Sequence, residues 1–279
     1  AGVVIARAIV NDLFELKEAA SIFALMMVFS ALAPMLSPSF GGFLIEYFSW
    51  HSIFATLFGL GILLFLLIFF ALKESAPHLK RQKFSHKETL KSYRFVLKDK
   101  PFILYVSCAS LVLAAMFAYI TGSSFVFINF FGLSERDFGL LFGINALGFV
   151  IFANINAKMV RKIDSEKILF YALIIMLIST LILFVNSLIK PNFWLFELSI
   201  FTSIALLGFI APNTTTLAMA RFKDHSGTAS AVLGTSQFAL AGVISFIVSA
   251  VGANTPVILA LVMLICVVLA NGLYFAMKR

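Results

Sequence analysis

Charged residues are scarce in this chain of 279 residues. They account for 12% of it, whereas hydrophobic residues account for 61%. A typical soluble domain carries about twice that share of charged residues, most of them on its water-facing surface. The shortage excludes a soluble fold and predicts a chain that lies mostly within a lipid bilayer.

Cysteine is also rare, and several motifs of catalytic sites are missing. Cys108 and Cys266 each stand alone inside an apolar segment, which excludes a CxxC pair or a cysteine metal cluster. The chain has no G-x-x-x-x-G-K-[ST] loop, no H-E-x-x-H pair and no G-x-S-x-G turn. The sequence therefore predicts no metal, no bound cofactor and no ATP hydrolysis.

Lipid burial leaves a membrane-embedded enzyme as one alternative. Such an enzyme needs acids, histidines or metal ligands that converge at one depth. The histidines instead lie in loops or at the ends of apolar runs, at positions His51, His78, His86 and His225. The sequence therefore disfavours an enzyme.

Eight apolar runs are long enough to cross a bilayer. They cover residues 19–46, 51–72, 101–131, 138–157, 168–189, 193–220, 226–252 and 256–277. At about 1.5 Å per helical residue, each run spans the hydrocarbon layer of about 30 Å. The runs lack the alternation of barrel strands, and lipid cannot satisfy an open backbone, so they predict an all-α polytopic membrane protein.

The chain begins at Ala1, without a methionine. Residues 1–12 are apolar but would span only about 18 Å as a helix. We expect them to be the second half of a helix whose beginning lies outside this chain.

The lysines and arginines indicate the orientation of the spans. All but three of the 21, namely Arg7, Arg136 and Lys190, lie on one side of the predicted bundle. By the positive-inside rule that side is cytoplasmic, and the C-terminus lies there too. Because these residues occupy short gaps instead of one polar face, the net charge of +8 does not indicate a nucleic-acid partner.

The stretch 73–100 is the one long polar segment. We interpret it as a cytoplasmic linker between two domains, residues 1–72 and residues 101–279. A faint repeat supports this division, because residues 17–21 and 225–230 each open a helix after a cytoplasmic turn and each precede two further spans. Equal halves predict a parent protein of twelve helices in two repeats, as in many transporters.

The linker itself contains helix signals. Residues 85–88 have the S-x-x-E form of a capping box, and Leu90, Tyr93 and Leu97 recur at helical spacing. This pattern predicts a short helix on the membrane surface. A solvated basic linker remains the alternative.

Three stretches resemble the major facilitator superfamily and, within it, the Bcr/CflA type of multidrug resistance protein, a drug/proton antiporter. Residues 6–12, ARAIVND, resemble a fourth-helix motif with a membrane-embedded arginine, Arg7, followed by an acid, Asp12. Residues 33–44, APMLSPSFGGFL, resemble the fifth-helix antiporter motif G-x-x-x-G-P-x-x-G-G-x-L, with its two leading glycines replaced. The third stretch resembles an eleventh-helix signature through Gly227, Ser230, Gly234 and Gln237.

The resemblance implies the major facilitator fold of two six-helix bundles, of which this chain holds about nine helices, from the end of helix four through helix twelve. It implies a multi-pass monomer of the bacterial inner membrane that moves small molecules by alternating access. A proton gradient would drive efflux without a cofactor, with protons and the small-molecule substrate as its partners. The same fold leaves import or export of a specific metabolite as an alternative.

The fifth-helix motif has a physical interpretation of its own. Small residues recur every four positions, and a proline permits a bend, at Ala33, Ser37, Pro38, Gly41 and Gly42. A second small-residue pair, Gly139 and Gly143, lies in the predicted eighth helix. The resemblance implies that the fifth and eighth helices meet, so we expect these faces to close the external side. Ordinary tight packing is the alternative.

Arg7 is the only basic residue inside a predicted span. An intramembrane charge is costly and usually functional, so coupling to a proton site or contact with substrate is expected. Snorkelling to the interface, or an ion pair with Asp12, is the alternative. The acids Glu46, Glu135, Asp137 and Glu197 lie near the predicted outer face, and the other acids are predicted to be cytoplasmic. The principal proton acceptor is therefore expected outside this chain, where the family has an acid in its first helix.

Uncharged polar residues inside the spans are candidates for a substrate path, and the foremost are Tyr119, Thr121, Asn145 and Asn213. Each could equally form a hydrogen bond to a neighbouring helix, which is the commoner role. Pro212 is expected to bend the tenth helix, because proline interrupts the backbone hydrogen bonds.

Overall fold

The computed structural model describes residues 37, 40–72, 86–189, 191–222, 226–252 and 255–278. These residues form helices joined by short connections, and no strand occurs among them. The chain divides into two compact units, Ala1–Phe84 and Ser85–Arg279.

The first unit is described from residue 37, and residues 40–47 are helical. Helix α1, Trp50–Ala71, follows the extended residue Ser49. Its 22 residues include no buried side chain, although most are leucine, isoleucine or phenylalanine. A helix with this composition and about 33 Å of length is suited to lipid on its surface.

The second unit contains seven helices among its described residues. They are α2 His86–Val96, α3 Lys100–Ser124 with a π-helical continuation Phe125–Phe130, α4 Glu135–Met159, α5 Ser165–Ile189, α6 Phe193–Met219, α7 Ser226–Val251 and α8 Pro256–Lys278. Helix α1 and helices α3 to α8 are each long and apolar enough to cross a membrane. Seven of the eight predicted spans are therefore confirmed. The remaining one, 19–46, lies mostly outside the described residues, as do residues 1–12.

Polar side chains begin three of these helices. The side chains of Asp99, Ser134 and Asn192 accept hydrogen bonds from backbone N–H groups three residues later, over 2.8, 3.1 and 3.1 Å. Each cap satisfies a donor that the first helical turn leaves open. The far end of the π-helix is closed by Gly132, whose φ of 74° suits a residue without a Cβ.

Helix α3 is the centre of the second unit. It packs against α6, α7 and α8, and α6 packs in turn against α4 and α5. Small buried side chains, including Cys108, Ala114, Ala115 and Ala118, allow its neighbours to approach closely. Both cysteines are buried apolar side chains, as their sequence context predicts.

The predicted linker helix is present as α2. Among the side chains of this helix described from Leu90 onward, the buried one is Val96, which packs with Phe102, Phe222 and Leu233 in a small cluster where α2, α3 and α7 meet. Of the positions chosen from the sequence, Tyr93 packs against this cluster, whereas Leu90 is 71% exposed and Leu97 is 51% exposed. The helix prediction was right, but its buried face is centred one position earlier than Leu97.

The connections between the helices of the second unit lie at two ends, which we call the basic end and the opposite end. The basic end carries Asp99 and the connections 160–164 and 220–222, and the opposite end carries the connections 131–134 and 191–192. At the basic end Arg221 donates to Asp99 through Nε and Nη2, over 2.7 and 2.8 Å. This forked ion pair ties the start of α3 to the connection between α6 and α7.

We expect the Asp99 ion pair to make the protein sensitive to acid. The hydrogen bond from Arg221 holds the pKa of Asp99 below its usual 3.8. Because the pKa of Asp99 is lower in the folded than in the unfolded protein, its ionised form stabilises the fold. This stabilisation is complete at a pH above the unfolded-state pKa and is lost as the pH falls through the folded-state pKa. The melting temperature of the purified protein should therefore fall less between about pH 6 and pH 3 in Asp99→Asn than in the wild type.

A matched control is Asp164→Asn at the same end. Asp164 lies 3.9 Å from Lys167 and its side chain is 81% exposed, so its charge should contribute little. Equal acid sensitivity of Asp99→Asn and the wild type would contradict the assignment.

Candidate functional site

Three polar side chains from three helices meet inside the second unit. Tyr119 of α3, Asn145 of α4 and Glu197 of α6 are 2%, 1% and 8% exposed. Asn145 Nδ2 donates to the Tyr119 hydroxyl over 3.1 Å, and the Glu197 carboxyl interacts with the Asn145 amide. We call these residues the polar triad.

The polar triad contains buried oxygens that lack partners. Asn145 Oδ1 and Glu197 Oε2 have no hydrogen-bond partner among the described residues. A buried acceptor without a hydrogen bond costs about 1–3 kcal/mol, and a buried ionised carboxylate costs more. Such groups persist where they have a function that outweighs the cost.

Phenylalanines surround the polar triad. The ring of Phe142 stacks on Tyr119, with centroids 5.2 Å apart and an angle of 16° between the ring planes. The aromatic cluster consists of Phe127, Phe131, Phe138, Phe142, Phe193 and Phe196. By helix position, the rings of α3 and α4 lie nearer the opposite end than Tyr119 and Asn145, whereas Phe196 is the residue before Glu197. The aromatic cluster therefore adjoins the triad on the side of that end.

A second polar contact joins α4 and α6 nearer the basic end. Asn213 Nδ2 donates to Asn156 Oδ1 over 2.6 Å and to the Phe209 carbonyl over 2.7 Å. Pro212 lies inside α6, which continues through it to Met219. The side chain of Asn213 thus donates to the carbonyl of Phe209, within the part of the helix where Pro212 has no N–H to donate.

Helices α4 and α6 approach most closely at two glycines. A Cβ on Gly208 would lie 2.5 Å from the Ala153 backbone N and 2.6 Å from the Phe149 carbonyl oxygen. A Cβ on Gly148 would lie 2.6 Å from the ring of Phe201. The atoms around Gly208 are main-chain atoms, so glycine is required there for the two helices to touch, whereas at Gly148 the ring of Phe201 would have to shift.

The structure brings together two of the four residues predicted for a substrate path. Tyr119 and Asn145 are bonded to each other, while Asn213 lies apart with Asn156. Thr121 is half-buried and donates to Ser245 of α7 over 3.0 Å. All four thus make hydrogen bonds between helices, which is the alternative role weighed from the sequence. Their part in transport stays a prediction.

The other predicted site residues are distributed along the helices. Gly139 is buried and Gly143 half-buried on α4, and the eleventh-helix signature lies on α7, where Ser230, Gly234 and Gln237 are half-buried and Gly227 is exposed. Ser37, Gly41 and Gly42 are helical. Arg7, Asp12, Ala33 and Pro38 lie outside the described residues. The roles given to all of these residues stay predictions.

A groove of about 580 Å³ lies on the second unit between α3, α7 and α8. Its walls include Ile103, Val106, Leu111, Val232, Leu240 and Leu273, with the hydroxyls of Ser107, Ser110 and Ser236 among them. The lining suits an apolar molecule with one or two polar groups. Within the described ranges no three histidine, cysteine or acidic side chains are grouped so that they could hold a metal.

Glu197 and the two glycines were missed from the sequence. Glu197 is the only charged residue of α6 and lies four positions after its first residue, near the opposite end, and sequence reasoning gave it no role. The structure adds that its side chain is buried against Asn145. A carboxylate within an apolar run was the available signal.

Comparison with known proteins gives a consistent result. A family model described as the Major Facilitator Superfamily matches residues 1–246. The uncharacterized MFS-type transporter YdgK of Bacillus subtilis is 33% identical over 281 residues, covering 100% of this chain and 70% of YdgK. A bicyclomycin resistance protein homolog of Haemophilus influenzae is 27% identical over 277 residues, covering 99% of this chain and 69% of the relative.

A solved structure shows the same fold. It is the crystal structure of a bacterial homolog to the human lysosomal transporter Spinster, in an inward-facing and unoccupied conformation. The TM-score is 0.67 at 15% identity, over 98% of this chain and 74% of that one.

An all-helical chain with seven candidate spans among its described residues, and with relatives of this kind, is a multi-pass membrane transporter and not an enzyme. The chain belongs to the major facilitator superfamily, and its drug-resistance relatives support the resemblance found in its motifs.

Proposed function

We propose that this transporter exports drugs or other small organic solutes in exchange for protons. The observation that carries the proposal is the similarity to a bicyclomycin resistance protein homolog along 99% of the chain. The fifth-helix motif at residues 33–44, which resembles that of antiporters, supports export over import.

The second unit has features that suit this function. Its groove is lined mainly by apolar side chains with a few hydroxyls, a composition that accepts varied lipophilic compounds. The aromatic cluster offers further apolar surface. Alternating access would be driven by the proton gradient, without a cofactor, and Arg7 with Asp12 would contribute to coupling.

The proposal includes a location and an orientation. We place the protein as a monomer in the bacterial inner membrane, with the basic end and the C-terminus in the cytoplasm. The distribution of lysine and arginine supports this orientation. The opposite end, with the aromatic cluster, then faces outward.

A second candidate is transport of one specific metabolite. It is compatible with the relative at 33% identity, YdgK, which is described only as an uncharacterized MFS-type transporter. The fold is compatible with both candidates, because fold alone does not determine substrate.

Expression of the protein in a bacterial host stripped of its own efflux pumps tests the proposal. We expect higher resistance to bicyclomycin and lower steady-state accumulation of ethidium than with an empty vector. An uncoupler that collapses the proton gradient should restore ethidium accumulation to the vector level, because coupled export stops.

The opposite results would contradict export. These are unchanged bicyclomycin resistance together with ethidium accumulation that the protein does not alter. Growth on a nutrient that depends on the protein would favour the metabolite candidate.

A further inference from the structure

We propose that Glu197 is a proton-binding site of the second unit, where Asn145 and Tyr119 provide the hydrogen bonds that its carboxyl group needs. This inference rests on the proposed function, because it assigns a coupling residue to proton-driven transport. It assigns a role to an acid that the sequence analysis named without giving it one.

The argument begins with the two oxygens that lack partners. An ionised carboxylate oxygen and an amide oxygen are both acceptors, so neither can satisfy the other. Glu197 Oε2 and Asn145 Oδ1 are both buried without a hydrogen-bond partner in the described structure. One proton on the Glu197 carboxyl turns an acceptor into a donor. The residue that this carboxyl interacts with, Asn145, has an Oδ1 that lacks a bond. A single proton on Glu197 would then provide a partner for both groups.

The same residues can also accommodate the ionised form. The Asn145 amide carries an NH₂ group, which can donate to a carboxylate after the proton has left. The Tyr119 hydroxyl both donates and accepts, so it can pair with either side of that amide. In the structure it accepts from Asn145 Nδ2 over 3.1 Å. The polar triad thus offers a complementary arrangement for each protonation state.

No cation offsets a charge on Glu197 among the described contacts. Ion pairs of the described residues include those of Asp99 with Arg221 and Asp164 with Lys167, both at the basic end. The titratable group that faces Glu197 is Tyr119. Helix α7 carries no charged residue, and the charged residues of α3, α4 and α5 lie near helix ends, at Lys100, Glu135, Arg136, Asp137, Lys158, Glu166 and Lys167. A proton is the ligand that neutralises this carboxylate without a further partner.

Apolar rings adjoin this site on one side. Phe142 stacks on Tyr119, and Phe196, which precedes Glu197 in α6, belongs to the same aromatic cluster. Under this proposal, a movement of α4 and α6 that displaces these rings would change the access of water to Glu197. The bound proton comes from water and attaches to a carboxyl oxygen, and it returns to water on release, with no other bond changed. Exchange that depends on conformation is what coupling to alternating access requires.

Infrared difference spectroscopy of the purified protein tests proton binding directly. Stepping the pH should remove the carbonyl band of a protonated carboxyl group in the wild type. That band should be lost in Glu197→Gln and kept in Glu135→Gln, a control on an exposed glutamate at the start of α4. Glu197→Asp should keep a titrating band, and Asn145→Ala should shift the band frequency, since its hydrogen-bond partner is removed. A band unchanged in Glu197→Gln would overturn the proposal.

Transport in proteoliposomes separates this proposal from the function on which it rests. Glu197→Gln should lose ethidium transport driven by a proton gradient and keep exchange of ethidium across the membrane without a gradient. Gradient-driven transport at the wild-type rate in Glu197→Gln would also overturn the proposal. If the proton gradient does not change ethidium transport by the wild type, proton-driven export is refuted. If the titrating carbonyl band is nevertheless lost in Glu197→Gln, the proton-binding site remains supported.

Discussion

Replacement of Gly208 by alanine should lower the melting temperature of the purified protein by roughly 2 to 12 °C. The added Cβ would lie 2.5 Å from the backbone N of Ala153 and 2.6 Å from the carbonyl oxygen of Phe149. Both are main-chain atoms, so no side chain can rotate away and α4 and α6 must separate. Overpacking of this kind costs up to about 3 kcal/mol, and the separation also weakens the bond between Asn213 and Asn156.

The control for Gly208→Ala is Gly272→Ala. Gly272 lies in α8, and a Cβ there would meet no described atom within 4 Å. Alanine is the better helix former, so this variant should be as stable as the wild type or slightly more stable. Reaction of a thiol dye with the buried Cys108 and Cys266 on heating reports the unfolding of each variant. Equal melting temperatures for the two variants would show that α4 and α6 do not touch at Gly208.

Replacement of Phe127 by alanine should also lower the stability of the folded protein. Phe127 is fully buried in the π-helix of α3, and its ring meets Phe196 edge-on at 5.6 Å and Phe193 at 6.2 Å. Lipid is as apolar as this cluster, so the loss comes mainly from the cavity and the missing ring contacts. We expect a cost of about 2 to 4 kcal/mol.

Phe246→Ala provides the comparison for Phe127→Ala. Phe246 lies on α7 and is 72% exposed, so its removal leaves no cavity. The thiol-dye melting curve of Phe246→Ala should match that of the wild type, while Phe127→Ala should melt at a clearly lower temperature. A Phe127→Ala protein as stable as Phe246→Ala would contradict the tight packing of the aromatic cluster.

The spans were predictable because membrane helices obey a simple constraint. An apolar run must satisfy its own backbone and cross a layer of known thickness, so length and composition suffice. For the same reason, the capping residues Asp99, Ser134 and Asn192 lie within a few positions of the starts of the predicted apolar runs. The buried face of α2 was less certain, because three apolar positions in a short helix do not determine which side packs.

The candidate site was only partly predictable. Polarity identified Tyr119 and Asn145 as candidates, but their contact joins residues 26 positions apart on two helices. Polarity alone does not show how each helix is rotated about its axis, so the contact could not be predicted. Glu197 was placed by its distance from the helix end, and that distance does not show that its side chain is buried against Asn145. The close approach at Gly208 depends on backbone geometry, and an isolated glycine in an apolar helix gives little indication of that.

Helices α4 and α6 run in parallel and are attached at successive levels. Gly148 lies opposite Phe201, Gly208 opposite Ala153, and Asn213 is bonded to Asn156. Two helices in contact at three levels cannot slide past each other or change their crossing angle without breaking these contacts, so we expect them to move as one rigid body. A movement that opens the second unit would then occur where this helix pair contacts the other helices. Glu197 and Asn145 would move together with the pair.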